Sequence, residues 1–293
     1  MATSRPLRDG GHWRHRRVIK MTTYIEPFLG GGAVALSMLP SSPKPFLRWP
    51  GGKRKLAANV IEMLGDDVKA VSHMLFTDVN ESLMALWRAV SSDPEALLAA
   101  MRSLPRTPEG YLKVRADSNA KTTPATTLYL NLFAFNGLQR VNSKGHNNVP
   151  CDAVRLAKLD LDAVARNVFE VSAALRQRPV DIIAADFEAT IARAASGDFV
   201  YCDPPYIGTF TSYSGRFGVD EHVKLWQAAV AATMRGARVV ISNSAAALPM
   251  YRDWARGSGV AFDVKHVTAR RSIAAKSSSR GDVGEVMVLL RMP

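Results

Sequence analysis

The segment DFVYCDPPYIG, residues 198–208, joins a short apolar run to a stiff polar turn. The letters FVY are strand formers, and a short apolar run of this kind is typical of a strand buried on both faces. Asp203, two prolines and Tyr206 follow directly. The prolines restrict the backbone where the predicted strand ends. Ligands of open α/β sheets bind at the carboxyl ends of strands, so the carboxylate and the phenol are candidate site residues.

The chain around this segment alternates between strand and helix patterns. In KRKLAANVIEML, for example, Leu56, Val60 and Leu64 share one helical face. The alternation predicts an α/β fold with a doubly wound, mostly parallel sheet. The predicted strands are residues 22–26, 74–78, 181–186, 199–202, 237–242, 261–267 and 285–290. The predicted helices of the sheet domain are residues 31–39, 53–64, 80–90, 187–195 and 220–234.

One block, residues 93–167, interrupts the alternation with helical patterns and loops. Asp93-Pro94 and Thr123-Pro124 each place a capping side chain before a proline, which is a helix start signal. The block is too large for a loop, and it predicts a helical module inserted into the sheet domain. The predicted division is a basic tail (1–20), a sheet domain (21–92 and 168–293) and the inserted module (93–167).

The composition favours an intracellular protein that binds a polyanion. The formal net charge is +12, of which six basic residues and one acidic residue within residues 1–20 contribute +5. The remaining +7 still favours nucleic acid as a partner. Cys151 and Cys202 are the two cysteines, which suits a reducing cytoplasm and excludes a disulfide framework. No apolar run is long enough to span a membrane, and Arg16–Arg17 lacks the hydrophobic segment of an export signal.

Two glycine-rich segments are candidate cofactor sites. EPFLGGG (residues 26–32) follows a predicted strand and leads into a helix, and its glycines would let a ligand approach the backbone. It lacks the third glycine of the dinucleotide fingerprint, and Asp78, which ends the next strand, lies far beyond the spacing of about 20 residues expected for the ribose-binding acid. RWPGGK (residues 48–53) lacks the spacing of a P-loop. A plain tight turn and an exposed basic turn are the alternatives for these two segments.

Together the segments resemble the motif set of the Dam-like adenine-N6 DNA methyltransferases. The matching segments are RWPGGK, EPFLGGG, FTDVNESL, VYCDPPY, LYLNLFAFNGLQRVNSKGHNNVP, VISN and ARRSI. The resemblance covers nearly everything from Thr22 onward. It implies a class I, Rossmann-like methyltransferase of bacterial or phage origin that acts in the cytoplasm, with residues 93–167 as its target-recognition module.

The order of two segments departs from the family pattern. In the family, the tryptophan–glycine–lysine segment precedes the glycine-rich turn, whereas here Trp49–Lys53 follows it. Two arrangements remain open. The segment packs against the turn in its own chain, or it reaches across to a second subunit of a homodimer.

The resemblance implies S-adenosylmethionine as the methyl donor, S-adenosylhomocysteine as the product, and no metal. Asp78 would hold the ribose hydroxyls, because a carboxylate can accept two hydrogen bonds; its alternative role is the N-cap of the helix that follows. Trp49 and Lys53 would contact the methionine end. The implied cofactor-binding residues are Glu26, Pro27, Phe28, Gly30, Gly32, Trp49, Gly51, Gly52, Lys53, Asp78 and Asp203.

The resemblance also gives the DPPY turn a catalytic role. The exocyclic amine of adenine is a weak nucleophile because its lone pair is delocalised into the ring. Asp203 and the carbonyl of Pro204 would accept hydrogen bonds from its two N–H groups and stabilise the positive charge that develops on nitrogen. Pro205 would keep that carbonyl in a set direction, and Tyr206 would stack on the extruded base. A rigid turn after a strand is the alternative.

Double-stranded DNA is the implied partner. Phe135 would wedge into the base stack, and Arg140 would pair with guanine, with a solvated loop arginine as the alternative. Residues 265–280 carry five basic side chains and no acid, which suits phosphate contacts. The implied DNA-binding residues are Phe135, Asn136, Gly137, Arg140, Lys144, Arg270, Arg271 and Lys276.

Two other functions stay open from the sequence. A cytosine-N4 methyltransferase on this fold usually has serine in place of Asp203, and a catalytically weak module would only bind DNA or cofactor. The intact acid, prolines and tyrosine favour the adenine enzyme. We therefore expect a site-specific DNA methyltransferase that acts on N6 of a flipped adenine by direct in-line displacement.

Overall fold

The computed structural model describes residues 21–49, 56–138, 140–207, 217–270 and 282–293, so the predicted basic tail lies outside the described residues. Seven strands form one sheet in the order β3-β2-β1-β4-β5-β7-β6. The strands are β1 (Thr23–Glu26), β2 (His73–Asp78), β3 (Val180–Ala184), β4 (Phe199–Cys202), β5 (Arg238–Ser244), β6 (Ala261–Arg270) and β7 (Asp282–Arg291).

The sheet is mostly parallel. Strands β1 to β5 pair in parallel, and β7 lies antiparallel between β5 and β6. The chain order reverses at β1, because β2 and β3 lie on one side of β1 and β4 lies on the other. In open α/β sheets, such a reversal leaves a crevice at the carboxyl ends of the two central strands. The predicted fold class is confirmed.

Helices cover both faces of the sheet. The α-helices of the described residues are α1 (Ala33–Met38), α2 (Ala57–Leu64), α3 (Glu81–Ser92), α4 (Pro94–Arg102), α5 (Pro108–Ala120), α6 (Pro124–Phe133), α7 (Ala153–Lys158), α8 (Leu161–Leu175), α9 (Phe187–Ile191), α10 (Val219–Met234) and α11 (Leu248–Ala255). Side chains alternate along each strand, so Tyr24 and Phe76 pack with α1, α2 and α3, whereas Ile25 and Leu75 pack with α9, α10 and α11. None of these helices is both long and apolar enough to cross a membrane.

Helix α2, which follows the relocated Trp49 segment, packs against the antiparallel side of the sheet. Its predicted apolar face is buried, with Val60 and Leu64 fully enclosed. The guanidinium of Arg238 in β5 donates to the carbonyl of Leu64 at 2.6 Å, and Lys265 of β6 forms an ion pair with Glu62. The relocated helix is therefore attached to β5 and β6 by polar contacts as well as by apolar packing.

Helices α4 to α8 connect α3 to β3. As predicted, Asp93 caps α4 and Thr123 caps α6, each by accepting a backbone N–H, with a proline at the first helical position. Helices α6 and α8 pack against α3, which joins this helical part to the sheet. The predicted module boundary at residue 167 falls within α8, and the division into domains stays a prediction.

Candidate active site

Three acidic side chains lie at the carboxyl ends of neighbouring strands. Glu26 ends β1, Asp78 ends β2, and Asp203 directly follows β4. Strand β1 lies between β2 and β4, so the three residues share one edge of the sheet. The chain order reverses at this edge, which is where ligands bind in open α/β sheets, and the predicted residues Glu26, Asp78 and Asp203 lie along it.

The glycine turn after β1 packs against two tryptophan rings. A β-carbon at Gly30 would lie 2.5 Å from Nε1 of Trp49, and one at Gly32 would lie 2.5 Å from the ring of Trp87. A β-carbon at Gly31 would lie 2.6 Å from Cβ of Trp49. Gly30 and Gly32 also have positive φ angles of 49° and 65°. Only glycine satisfies both the space and the backbone conformation, so the turn keeps a bare backbone beside the crevice.

Trp49 reaches this turn within its own chain. The residue before it, Arg48, donates its backbone N–H to Oδ1 of Asn131 at 3.0 Å, and Nδ2 of Asn131 donates to the carbonyl of Arg48 at 2.8 Å. Asn131 is buried in α6. Arg48 and Trp49 thus bridge the glycine turn and the helical module, and Trp49 needs no second subunit to contact the turn.

The Asp78 carboxylate joins the ends of β1 and β2. Its Oδ2 accepts the N–H of Gly30 at 3.1 Å, and its Oδ1 accepts the N–H of Asn80 at 3.0 Å. Burial raises the pKa of Asp78, and these backbone donors oppose the rise because they stabilise the charged form. The N-cap of α3 is Asn80, whose side chain accepts the N–H of Leu83. The structure therefore assigns the capping role, which was the alternative for Asp78, to Asn80.

Glu26 is buried at the end of β1. Its Oε2 accepts the Tyr24 hydroxyl at 2.6 Å, and the carboxyl group also accepts the backbone N–H of Ala35 in α1. Burial raises the pKa of Glu26 to about 8; the charge of Asp203 adds to this rise, and the two hydrogen bonds oppose it. Glu26 therefore holds a proton at neutral pH, and it links β1 to the first turn of α1. Pro27, which follows it, is buried as well.

Consecutive polar residues of β5 hold the DPPY loop. The Ser242 hydroxyl donates to Oδ1 of Asp203 at 2.8 Å. Oδ1 of Asn243 accepts the N–H of Ile207 at 3.1 Å, and the Ser244 hydroxyl donates to the carbonyl of Ile207 at 2.9 Å. All three β5 residues are buried. Both ends of the loop are therefore attached to the neighbouring strand.

The Tyr206 hydroxyl donates to Oε2 of Glu285 at 3.0 Å. Glu285 lies in β7, opposite Ser244 of β5, and is buried. Burial raises the pKa of Tyr206 well above its usual value, and the charge of Asp203 adds to this effect, so the phenol stays protonated and can donate. The contact fixes one end of the ring that is predicted to stack on the target base.

Phe28 belongs to an aromatic cluster at the same end of the sheet. Its ring stacks on Phe187 with centroids 5.4 Å apart, and it meets Phe217 edge-on at 5.7 Å. Phe217 in turn meets the ring of His222 edge-on at 4.9 Å. Burial lowers the pKa of His222 to about 4, so this imidazole is neutral at physiological pH. The predicted cofactor residue Phe28 is thus packed beside the start of α9.

The predicted recognition turn follows α6 and presents an exposed aromatic ring. Phe135 is 45% exposed, although phenylalanine is one of the residue types most often buried and Ala134 before it is buried. Asn136 and Gly137 both have positive φ angles, 52° and 65°. Arg48 supports the turn: Nη1 donates to the carbonyl of Ala134 at 3.1 Å, and a β-carbon at Gly137 would lie 2.7 Å from Cβ of Arg48. The turn therefore projects Phe135 from a constrained backbone.

Arg140 lies at the start of a short loop in which Val141 pairs antiparallel with Asn147. Its Nε donates to Oδ1 of Asn148 at 2.7 Å, and its Nη2 donates to the carbonyl of Asn148 at 3.2 Å. The other three N–H groups of the guanidinium make no hydrogen bond to any residue that the structure describes. Lys144 is exposed in the same loop. The loop thus holds Arg140 while leaving donors for a partner.

Several predicted site residues lie outside the described residues. Arg270 is described only through its backbone, which ends β6 and pairs with Asp282. The segment FTSY, which would close the pocket after Tyr206, also falls outside. The other predicted site residues outside the described residues are Gly51, Gly52, Lys53, Arg271 and Lys276.

Two residues at the site were not identified from the sequence. Trp87 reads as one of several apolar residues on the buried face of α3, and nothing local distinguishes it from a core residue. Glu285 reads as the start of an apolar strand. An acid next to a buried strand is a usable signal, because acidic side chains are almost never fully buried unless they are paired.

The residues at this edge fit the predicted cofactor. Asp78 ends β2 with a carboxylate, which has acceptor capacity for hydroxyl groups in addition to that used by its backbone donors. The glycine turn has no side chains of its own, and the indole of Trp49, which packs against it, supplies a face that attracts cations. Among the described residues, no group of three or more His, Cys, Asp or Glu side chains could hold a metal ion.

Comparison with known proteins identifies the family. Two relatives are similar over most of their length. The Type II methyltransferase M1.LlaDCHI of Lactococcus lactis subsp. cremoris is 29% identical over 280 residues, covering 84% of this chain and 94% of that protein. The DNA adenine methylase of Vibrio cholerae serotype O1 is 30% identical over 278 residues, covering 84% and 95%.

Among solved structures, the METTL16 methyltransferase domain is 11% identical with a TM-score of 0.39, covering 94% of this chain and 76% of that chain. The fold assignment rests on the strand order and not on this likeness. The family model for D12 class N6 adenine-specific DNA methyltransferases matches residues 63–273. The match begins after the glycine turn and Trp49, where the segment order departs from the family pattern. This chain therefore belongs to the D12 class of N6 adenine-specific DNA methyltransferases.

Proposed function

We propose that this enzyme transfers a methyl group from S-adenosylmethionine to N6 of an adenine extruded from duplex DNA, with the carboxylate of Asp203 as the main acceptor for the target amine. One observation carries the proposal. Asp203 follows β4 where the chain order reverses, with its carboxylate held by β5, and the glycine turn ends the adjacent strand β1. The amine and the methyl donor would therefore meet in one crevice.

For this reaction the protein has to position the amine and the methyl donor and to stabilise the charge that develops. The bound cofactor supplies an electrophilic methyl group; a bond forms between N6 and the methyl carbon as the carbon–sulfur bond breaks. Asp203 and the Pro204 carbonyl accept hydrogen bonds from the two N6–H groups, which directs the nitrogen lone pair and stabilises its developing positive charge. As the product forms, one of these protons passes along its hydrogen bond to the carboxylate of Asp203, which releases it to solvent.

The cofactor would be held mainly by Asp78 and Trp49. Asp78 accepts the backbone N–H groups of Gly30 and Asn80, with Val79 as a further backbone donor, and its remaining acceptor capacity suits the ribose hydroxyls. Trp49 would offer its ring face to the sulfonium end. Its contact with the glycine turn supports this role. Gly51, Gly52 and Lys53 keep their predicted roles at the methionine end.

The recognition turn would open the duplex. Extruding a base costs a few kcal/mol of stacking and pairing, and an apolar wedge at the vacated step offsets part of that cost. Phe135 suits this task because its ring is exposed on a backbone that Arg48 and two left-handed residues constrain. Basic side chains at Arg270, Arg271 and Lys276 would contact phosphates.

Analysis of the modified nucleoside tests the proposed function directly. Plasmid DNA is incubated with the purified chain and labelled S-adenosylmethionine, then digested to nucleosides and separated. We expect the label in N6-methyladenine. Label in N4-methylcytosine would identify the cytosine enzyme instead, and unlabelled DNA from a chain that binds cofactor would identify the catalytically weak module.

The variant Arg140→Ala should reduce discrimination between target and non-target DNA. A guanidinium that contacts a guanine edge contributes roughly 1–3 kcal/mol of discrimination, about 5- to 150-fold in relative affinity. The measurement is the ratio of dissociation constants for two duplexes, once the target is known from sequencing methylated DNA of an expressing host.

Lys144→Ala, in the same loop, and Lys276→Ala are the matched controls for Arg140→Ala. Loss of a phosphate contact weakens binding to all sequences alike and lowers the salt dependence of affinity. If Arg140→Ala weakens binding to both duplexes by the same factor, Arg140 contacts the phosphate backbone and not a base.

We propose that the enzyme works on DNA in the cytoplasm, as its bacterial relatives suggest; a monomer and a homodimer are the two assemblies to distinguish. Trp49 reaches the glycine turn in its own chain, so the dimer is not required to complete this part of the site. Sedimentation velocity of the purified chain, with and without a target duplex, gives the oligomeric state.

A further inference from the structure

We propose that Ser242 is a positioning residue for the reaction: its hydroxyl sets the orientation of the Asp203 carboxylate toward the target amine. The inference rests on the proposed role of Asp203 and adds a residue on a different strand to it. Ser242 belongs to the VISN segment, for which the sequence resemblance implied no role.

The geometry forms a directed chain of three groups. Ser242 is fully buried, and its Oγ lies 2.8 Å from Oδ1 of Asp203 and 3.1 Å from the hydroxyl oxygen of Tyr201. A serine hydroxyl has one hydrogen to donate. The carboxylate is the strongest acceptor beside it, since the carbonyl of Cys202 lies 3.4 Å away and Tyr206, the other hydrogen-bond neighbour of Ser242, is a neutral phenol. Ser242 therefore donates to Asp203 and accepts from Tyr201.

The first donor in this row of three hydrogen-bonded groups is the hydroxyl of Tyr201. Tyr201 is fully buried, and burial raises the pKa of its phenol well above the usual value, so it keeps its proton and continues to donate. Hydrogen bonds arranged head to tail polarise and strengthen one another in a medium of low dielectric constant. The arrangement thus directs a firm hydrogen bond at one oxygen of the catalytic carboxylate.

Ser242 can hold Asp203 because it sits on a rigid support. The terminal torsion of an aspartate side chain has a broad energy well, so a carboxylate in a loop rotates unless a neighbour fixes it. Strand β5 pairs with β4 on one side and with β7 on the other, and Ile241 pairs with Cys202 next to the loop. The hydrogen bond from the Ser242 hydroxyl therefore holds the Asp203 carboxylate in a fixed position relative to strand β5.

The test compares three substitutions at Ser242 by single-turnover methyl transfer. Ser242→Ala removes the hydroxyl, Ser242→Cys keeps the volume but offers only a weak donor, and Ser242→Thr keeps the hydroxyl. We expect Ala and Cys to lower the rate roughly 10- to 100-fold, the range expected for loss of a hydrogen bond to a charged group. S-adenosylhomocysteine affinity and the KM for DNA should stay near wild type, and Thr should recover most of the rate.

Ser172→Ala is the matched control, because it removes another buried serine hydroxyl, which has no hydrogen-bond partner among the described residues. Its rate should equal that of wild type. If Ser242→Ala fails to fold, the rate of Ser242→Cys tests the inference instead. The melting temperature and cofactor binding show whether each variant is folded.

Three results would overturn the inference. In the first, folded Ala and Cys variants react at the wild-type rate. In the second, the loss appears only in the KM for DNA. In the third, a stable Thr variant is as slow as Ala. Asp203→Ala is measured in parallel: if that variant reacts normally, the proposed function itself is wrong, whereas a slow Asp203→Ala beside a normal Ser242→Ala rejects only the role of Ser242.

Discussion

Replacing Asp203 by alanine should lower the single-turnover rate of N6 methylation by roughly a factor of 10³, the upper range for removing one electrostatic stabiliser of a transition state. The loss follows because the amine then lacks its charged acceptor, and the Pro204 carbonyl alone cannot offset the developing charge. Cofactor binding should remain measurable by calorimetry, since Asp78 and the glycine turn lie on other strands. Rapid-quench assays with labelled cofactor give the rate.

Two further variants separate the chemical role of Asp203 from a structural one. Asp203→Asn keeps an acceptor oxygen without the charge, so its rate should lie between those of wild type and Asp203→Ala. Asp198, at the opposite end of β4, accepts the N–H groups of Thr23 and Ala195 at 2.8 Å each. Asp198→Asn should lower the melting temperature and leave the rate per folded molecule unchanged. Near-normal turnover by Asp203→Ala would rule out the mechanism.

Replacing Glu26 by glutamine should remove a pH dependence of stability. The pKa of Glu26 is about 8 in the folded chain and 4.5 for a solvent-exposed glutamate, as in the unfolded chain. The folded state therefore binds the proton more tightly. Between these two values a rise in pH favours the unfolded chain, which releases that proton. The free energy of unfolding of wild type should therefore fall relative to Glu26→Gln by roughly 2–3 kcal/mol between pH 6 and pH 8.

Urea denaturation of both proteins at several pH values measures this difference. Groups common to both, such as His222, cancel in the comparison. Ser172→Ala introduces no titratable change, so its difference from wild type should be the same at every pH. If the difference in free energy of unfolding between wild type and Glu26→Gln is also independent of pH, Glu26 is ionised in the folded chain.

Much of the fold follows from patterns within short stretches of chain. The runs that end at Glu26, Asp78 and Cys202 became strands of a parallel sheet, and Asp93 and Thr123 cap helices as their neighbours predicted. These outcomes depend on the alternation of apolar residues and on capping chemistry. Both act over a few residues and are therefore visible without a structure.

The candidate site could be predicted only in part. The acids at the strand ends and the DPPY loop belong to motifs, so their residues were identified. Trp87 was not, because its role beside Gly32 depends on where α3 packs. The contact of Trp49 with Gly30 and Gly31 of its own chain likewise depends on how the chain folds, so no local pattern predicts it.

Residue order along the chain thus determined the strands and helices, their order, and the chemical groups that each strand carries at its end. Folding determined which of those groups touch. Ser242 and Asp203 are 39 residues apart, and Tyr206 and Glu285 are 79 apart. Such pairs meet only because β4, β5 and β7 are neighbours in the sheet, and strand neighbourhood results from packing of the whole core, which no local pattern encodes.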